Sequence, residues 1–260
     1  MAKTTIIVVT HKDYPMPEEA LYTPVLVGGK SELPEGYIRD NTGDNIAEKN
    51  PFFCELTALY FAWKNLDADI LGLVHYRRYL HGKTPFTANG RKKHVLSEAE
   101  VNALLKKHDF ILPKKRNYYI ETLYSHYAHT MYVEPLDEAG KIIEELCPLY
   151  SPAFERLKKR RSSHMFNMFV GKREAVNAYC AWLFPILFEL EKRIDTSVYT
   201  PFHARFFGRV SELLLDVYLQ TNGISYTEVG LESIEPVNWW RKGTSFLKAK
   251  FKKEKYGKSF

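Results

Sequence analysis

Cysteine is scarce. Only Cys54, Cys147 and Cys180 occur, and no two share a CxxC spacing. That excludes a disulfide framework and a structural zinc site, and it suits a reducing compartment. Long hydrophobic runs are also lacking. The apolar stretch near the N-terminus, TIIVV, is too short for a signal peptide or a spanning helix. The longest, residues 178–188, is interrupted by Pro185. No internal repeat and no low-complexity linker precedes the tail. An excess of charge of one sign is missing from most of the chain. The formal net charge of +6 resides in residues 241–260, where eight Lys or Arg meet one Glu, so the body is near neutral. A neutral body argues against nucleic-acid binding.

What is present is an apolar, ring-rich body: 45% hydrophobic residues, with 17 Tyr and 16 Phe. This describes a folded α/β chain. Residues 1–238 read as one domain and 239–260 as a basic aromatic tail. In the tail, Trp239, Trp240, Phe246, Leu247 and Phe251 lie among lysines. Such a tail suits an anionic membrane surface; a solvated tail is the alternative. Apolar runs predict strands at 5–9, 24–27, 70–74, 110–112, 165–170 and 224–229. Asn50-Pro51 reads as the start of a helix running to Asn65. Ser97 and Glu100 form a capping-box pattern for a helix to about His108. Helical periodicity recurs over 137–161, broken at Pro148 and Pro152, and on through Trp182 to Ile194. A last helix covers 203–220 and stops at Asn222-Gly223. Residues 81–94 read as a surface loop and 114–132 as a loop rich in Tyr and His. Alternating strands and helices imply a mainly parallel, Rossmann-like sheet with helices on both faces.

The stretch DILGLVHYRRYL, residues 69–80, carries the first chemical signal. A buried strand ends in His75, Tyr76, Arg77, Arg78 and Tyr79. Ligands of open α/β sheets sit beyond the carboxyl ends of strands, so an imidazole and two guanidinium forks are expected in a cleft, suited to a diphosphate. Asp67-Ala68-Asp69 matches an Asp-x-Asp metal pattern but precedes the strand, at the wrong edge. His164 and Asn167 interrupt an apolar strand and must find partners or face a ligand. Arg205, Arg209, Glu212 and Asp216 share one face of the last helix. Such a stripe reads either as solvated ion pairs or as a cleft wall with Glu212 as general base.

GLVHYRRYL, ILPKKRNYYIETLYSHYAH, HMFNMFVGKREAVNAYCAWLFPILFELEKRID and FHARFFGRVSELLLDVYL together resemble a bacterial glycosyltransferase family from capsule, exopolysaccharide and O-antigen clusters. That family was long catalogued as a domain of unknown function, and one member is a galactofuranosyltransferase. The resemblance runs from about Thr5 to Phe251. It implies a GT-A-like fold and inverting transfer from UDP-galactofuranose to a lipid-linked oligosaccharide. The scattered cysteines and the basic tail, for their part, suit a cytoplasmic protein on the inner face of the cytoplasmic membrane. On the transferase reading Thr10, His11, Tyr14, His75, Arg77 and Arg78 border the nucleotide and its diphosphate. Tyr127, His129, His164, Asn167, Arg205 and Arg209 shape the sugar and acceptor, and Glu212 is the base, with Ser211 and Asp216 as alternatives. No metal cofactor is expected. A non-catalytic glycan-binding scaffold is the rival reading, and a metal-dependent phosphatase or hydrolase using the histidines a third.

Overall fold

A computed structural model of the chain describes residues 2–29 and 32–235. The expected basic tail lies outside the described residues. In chain order the strands are β1 Thr4–Thr10, β2 Tyr22–Leu26, β3 Ile38–Arg39, β4 Ile70–His75, β5 Arg78–Leu80, β6 Thr84–Ala88, β7 Arg91–Val95, β8 Phe110–Pro113, β9 Arg116–Asn117, β10 Ser162–Ser163, β11 Phe169–Lys172, β12 Tyr226–Val229 and β13 Leu231–Ser233. The helices are α1 Asn50–Phe53, α2 Leu56–Asn65, α3 Glu98–Leu105, α4 Leu123–Thr130, α5 Glu134–Leu146, α6 Ser151–Lys159, α7 Arg173–Arg193 and α8 Phe206–Asn222.

The main sheet runs β12-β8-β11-β4-β1-β2-β3, with β5 and β13 continuing from the end of β4. β4, β1, β2 and β3 pair in parallel, as do β8 and β12. β11 is antiparallel to both β4 and β8. The sheet is therefore mainly parallel, as expected, with one reversed strand near its centre. β8 and β12 consequently point the same way as β4. The carboxyl ends of all these strands, and the start of β11, meet at one edge.

Strand alternation divides the interior. Ile7 and Val9 face one core while Ile6 and Val8 face the other. The first core takes side chains from α1, α2 and α4 through α8. The second is covered by α3 and by the β6–β7 hairpin. Both faces carry helices, but unequally. Among the described residues no helix is long and apolar enough to cross a membrane.

Glycine at position 72 lets β4 and β11 approach closely. A Cβ there would lie 2.7 Å from Val170 Cγ2 and 3.0 Å from the Phe169 carbonyl oxygen. Gly72→Ala is therefore expected to lose roughly 1–3 kcal/mol of stability by overpacking. A urea titration reads the loss, and an unchanged midpoint would contradict the tight seam.

Several expectations change shape. Ser97 does form a capping box with Glu100, and Gly223 ends α8 at a left-handed φ of 60°. The helix expected from Asn50 to Asn65 is broken at Cys54, whose φ is +53°. Residues 81–94 are not a loop but the β6–β7 hairpin, turning at Asn89-Gly90 with both φ positive. Within 114–132, residues 123–130 form α4, capped by Thr122. Residues 164–168 are a turn rather than strand, because Phe166 and Asn167 take φ of 77° and 54°.

Candidate active site at the carboxyl edge of the sheet

The turn after β1 and the turn between β4 and β5 stack against one another. Tyr76 is buried between His11, 5.3 Å away edge-on, and Tyr14, 4.8 Å away edge-on. Lys12 Nζ lies 5.3 Å and 5.7 Å from the Tyr14 and Tyr76 ring centres, and the Arg77 guanidinium 5.1 Å from that of Tyr76. Tyr14 Oη donates to Glu235 at 3.2 Å and accepts from Asn89 Nδ2 at 2.8 Å, so the β6–β7 hairpin supports this ring platform. Burial lowers the His11 pKa first, and the positive charges of Lys12, Arg77 and Arg205 lower it further. The field there is cationic, with contributions from three separate segments of the chain.

The two adjacent arginines diverge. Position 76–77 is a hairpin turn, and His75 pairs with Arg78 across it. Arg77 reaches Glu235 at 3.4 Å on the outer side. Arg78 turns inward over the Phe166 ring, 4.7 Å from its centre. There the charges of Arg77, Arg209 and Arg116 oppose it and Glu212 favours it, while burial contributes most to lowering its pKa. A single paired clamp becomes two cations on either side of one turn.

Some expected site residues serve the scaffold. Thr10 is buried, and its hydroxyl donates to the Lys12 carbonyl at 2.6 Å. His75 Nε2 lies 2.6 Å from the Phe166 carbonyl; a carbonyl only accepts, so this nitrogen carries the proton. Burial pulls the His75 pKa down. His75 thus pins the strained 166–167 turn instead of facing a phosphate. His129 turns to Glu121, as does His126, at 2.8 Å and 3.1 Å. Burial pushes the His126 pKa to about 4. His164 has no exposed side-chain surface; its ring nitrogens face Asp216 at 2.5 Å and Glu228 at 2.9 Å. It is enclosed between α8 and β12 and offers a ligand no exposed surface. Among the described residues no three His, Cys, Asp or Glu side chains are placed to share a metal ion.

The stripe is only partly solvated: Arg205 is exposed in the turn that precedes α8, whereas the two carboxylates are buried. Arg209 is the one residue of 206–219 that is not buried. Glu212 is 5% exposed and Asp216 4%. Glu212 Oε1 lies 3.5 Å from Arg209, while its Oε2 is buried without a hydrogen-bond partner. Burial raises the Glu212 pKa; Arg209, Arg116 and Arg78 oppose the rise and Glu55 adds to it. The Tyr127 hydroxyl, also buried and unpartnered, feels both Arg209 and Glu212. Arg205 Nε donates to Cys54 Sγ at 2.8 Å. Asn167 donates to Glu55 at 2.7 Å and to the Gly208 carbonyl at 3.0 Å, leaving its Oδ1 buried and unpartnered.

Glu55 was not expected here. It enters because α1 and α2 break at Cys54, a residue in a conformation that disfavours L side chains. Nothing in NPFFCELTALY signals that break. Five non-glycine residues have positive φ among the described residues, and Cys54, Phe166 and Asn167 converge on this site. Such strain, of order 1–3 kcal/mol each, gathers where function over-determines the backbone.

The arrangement puts a buried carboxylate beneath a cationic rim, at the edge where open sheets bind ligands. The family described as "Domain of unknown function (DUF4422)" matches residues 5–223. The chain belongs to that family. No curated protein matches the chain. A solved structure described as the apo form of WbbM, a bifunctional glycosyltransferase, is similar to this DUF4422 chain over 88% of its length, at 29% identity and a TM-score of 0.78. The match covers 45% of the WbbM chain, so this chain spans less than half of that protein.

Proposed function

We propose that the protein is a glycosyltransferase that uses a nucleotide-sugar donor and a glycan acceptor. One observation carries the reading: Glu212, enclosed at the carboxyl edge with one oxygen lacking a protein partner, lies in the field of Arg78, Arg116 and Arg209. Family membership and the likeness to WbbM support it. The ring platform of His11, Tyr14 and Tyr76 takes the nucleotide base, and Arg77 and Arg78 take the diphosphate from either side of their turn. Glu212 accepts the proton of an acceptor hydroxyl. The acceptor oxygen then bonds to the anomeric carbon as the bond from that carbon to the phosphate oxygen breaks. The electron pair leaves with UDP, and the guanidinium charges stabilise it.

This displacement inverts the anomeric centre. The fixed cations supply the charge that a divalent ion supplies in many transferases, so we propose a metal-independent reaction. Galactofuranose as the donor sugar, and a lipid-linked oligosaccharide in capsule, exopolysaccharide or O-antigen synthesis as the acceptor, follow from the sequence resemblance. A cytoplasmic position on the membrane surface is proposed from the cysteine usage and the basic aromatic tail. Incubation with a panel of UDP-sugars, following UDP release, tests the activity. Release from none of them, with acceptor glycan present, would overturn it.

Arg77→Ala is expected to weaken UDP binding about tenfold, the worth of one charge-assisted contact. Calorimetric titration measures this, and an unchanged affinity removes Arg77 from the diphosphate site.

A further inference from the structure

We propose that Glu55 is the hydroxyl-binding carboxylate of a sugar subsite formed with Asn167 at the first turn of α8. The inference rests on the glycosyl-transfer reading and names which part of the ligand this corner takes. Three observations carry it. First, Glu55 is displayed by a backbone break at Cys54, whose φ is +53°. Second, its carboxylate is aimed: Oε1 accepts from Asn167 Nδ2 at 2.7 Å, and the turn that holds Asn167 is itself pinned by His75. Third, the corner holds buried acceptors that no protein donor reaches. Asn167 Oδ1 and Glu212 Oε2 are buried and without partners, and the half-exposed Glu55 is an acceptor as well. Buried acceptors without donors are costly in a folded protein, and a polyhydroxyl ring supplies the donors they lack.

Position 208 ties this corner to α8. A Cβ there would lie 3.4 Å from Glu55 Oε1, so the first turn of α8 packs directly against the carboxylate. Glu212 lies four residues along the same helix, on the same face. The two carboxylates therefore sit against one face of α8, with Glu55 at the sugar and Glu212 at the hydroxyl that attacks. The charged and titratable groups facing Glu212 come from several elements. They are Arg209 on α8, Glu55 between α1 and α2, Arg116 on β9, Arg78 on β5 and Tyr127 on α4.

The test compares UDP with UDP-galactose and UDP-glucose in calorimetric titrations of wild-type protein and Glu55→Gln. The variant keeps the side-chain length and removes the charge. Its UDP affinity is expected to match wild type. The extra affinity that a UDP-hexose gains over UDP is expected to fall roughly 10- to 100-fold, the range for a hydrogen bond to a charged group. If both proteins gain equally from the hexose, or if Glu55→Gln also loses UDP, the subsite is refuted. Absence of UDP binding in wild type instead refutes the nucleotide-sugar reading itself. Turnover gives a second readout, one that a structural role would not move. Removing the Glu55 charge favours ionised Glu212, so the acidic limb of kcat/KM shifts to lower pH. Glu55→Asp retains the charge, so its limb stays in place while its turnover drops. A limb that stays fixed in Glu55→Gln counts against the proposal.

Discussion

Glu212→Gln is expected to cut transfer by about 10²- to 10⁴-fold, the range for removing a positioned general base, and at the same time to raise thermal stability. The two effects share one cause. Burial raises the Glu212 pKa, and Glu55 adds to that rise. A carboxylate whose folded pKa exceeds its unfolded value resists ionisation in the fold. Protein stability therefore falls as pH rises from the ordinary Glu value through the raised one. Activity rises over the same window, because only the ionised form takes a proton. Glutamine keeps the shape without the charge, which removes both the penalty and the base. Melting curves and UDP-release rates on the same samples decide the matter. Full activity in the variant would transfer the base role elsewhere, and a lower melting temperature would show that the charge is well compensated in the free protein.

Asp216→Ala carries the largest expected stability loss, about 3–5 kcal/mol, the usual cost of removing one partner from a buried ion pair. Domains of ordinary stability hold only about 5–15 kcal/mol, so this variant loses much of its folded population. Asp216 accepts from the Ser163 hydroxyl at 2.7 Å and from the His164 backbone at 3.2 Å, faces the His164 ring, and lies 3.8 Å from Arg160. Those groups join α8 to the segment leading into the Phe166–Asn167 turn, so the loss also loosens the site. Burial alone would raise the Asp216 pKa. The hydrogen bond and charge of His164, together with Ser163, outweigh burial and hold it below the ordinary value. Its stabilisation is accordingly present above the unfolded Asp pKa and is lost as pH falls through the depressed folded one. Urea titrations of the variant across that acid range should be flatter than those of wild type. A parallel pair of curves would sink this account.

The strands and long helices were legible because burial imposes period. Ile6 through Val9, the capping box at Ser97 and the glycine stop at 223 each left a local mark. The site was legible in part. Arg78, Asn167, Arg209 and Glu212 do come together at the carboxyl edge, while Arg77 turns to Glu235. Their orientation was not readable, because it depends on a two-residue turn at 76–77 and on positive φ at 166–167, neither marked by glycine. The same holds for β11, whose reversal places the 164–168 turn at the cleft; an apolar run says nothing of its direction. His164 looked like a cleft residue because a polar side chain in an apolar strand needs a partner or a ligand, and Asp216 because it shares a helix face with Glu212. They proved to face each other, with Glu228 and Ser163 completing the cluster. The hairpin at 84–95 was recoverable, since Asn89-Gly90 between alternating residues is a recognised turn signal. Glu55 was beyond reach, as Cys54 is not a residue type that announces a break.

The Asn89 contact with Tyr14 gives that hairpin a reach beyond its own surface. A ribbon whose strands cover the second core ends, at its exposed turn, on the aromatic wall proposed to hold the nucleotide. Substitutions at its tip would retune donor choice from outside the catalytic chamber, leaving Glu212 and the guanidinium rim untouched. In such a layout, new substrate preference can arise by editing an appendage, with the reaction's proton acceptor conserved in place.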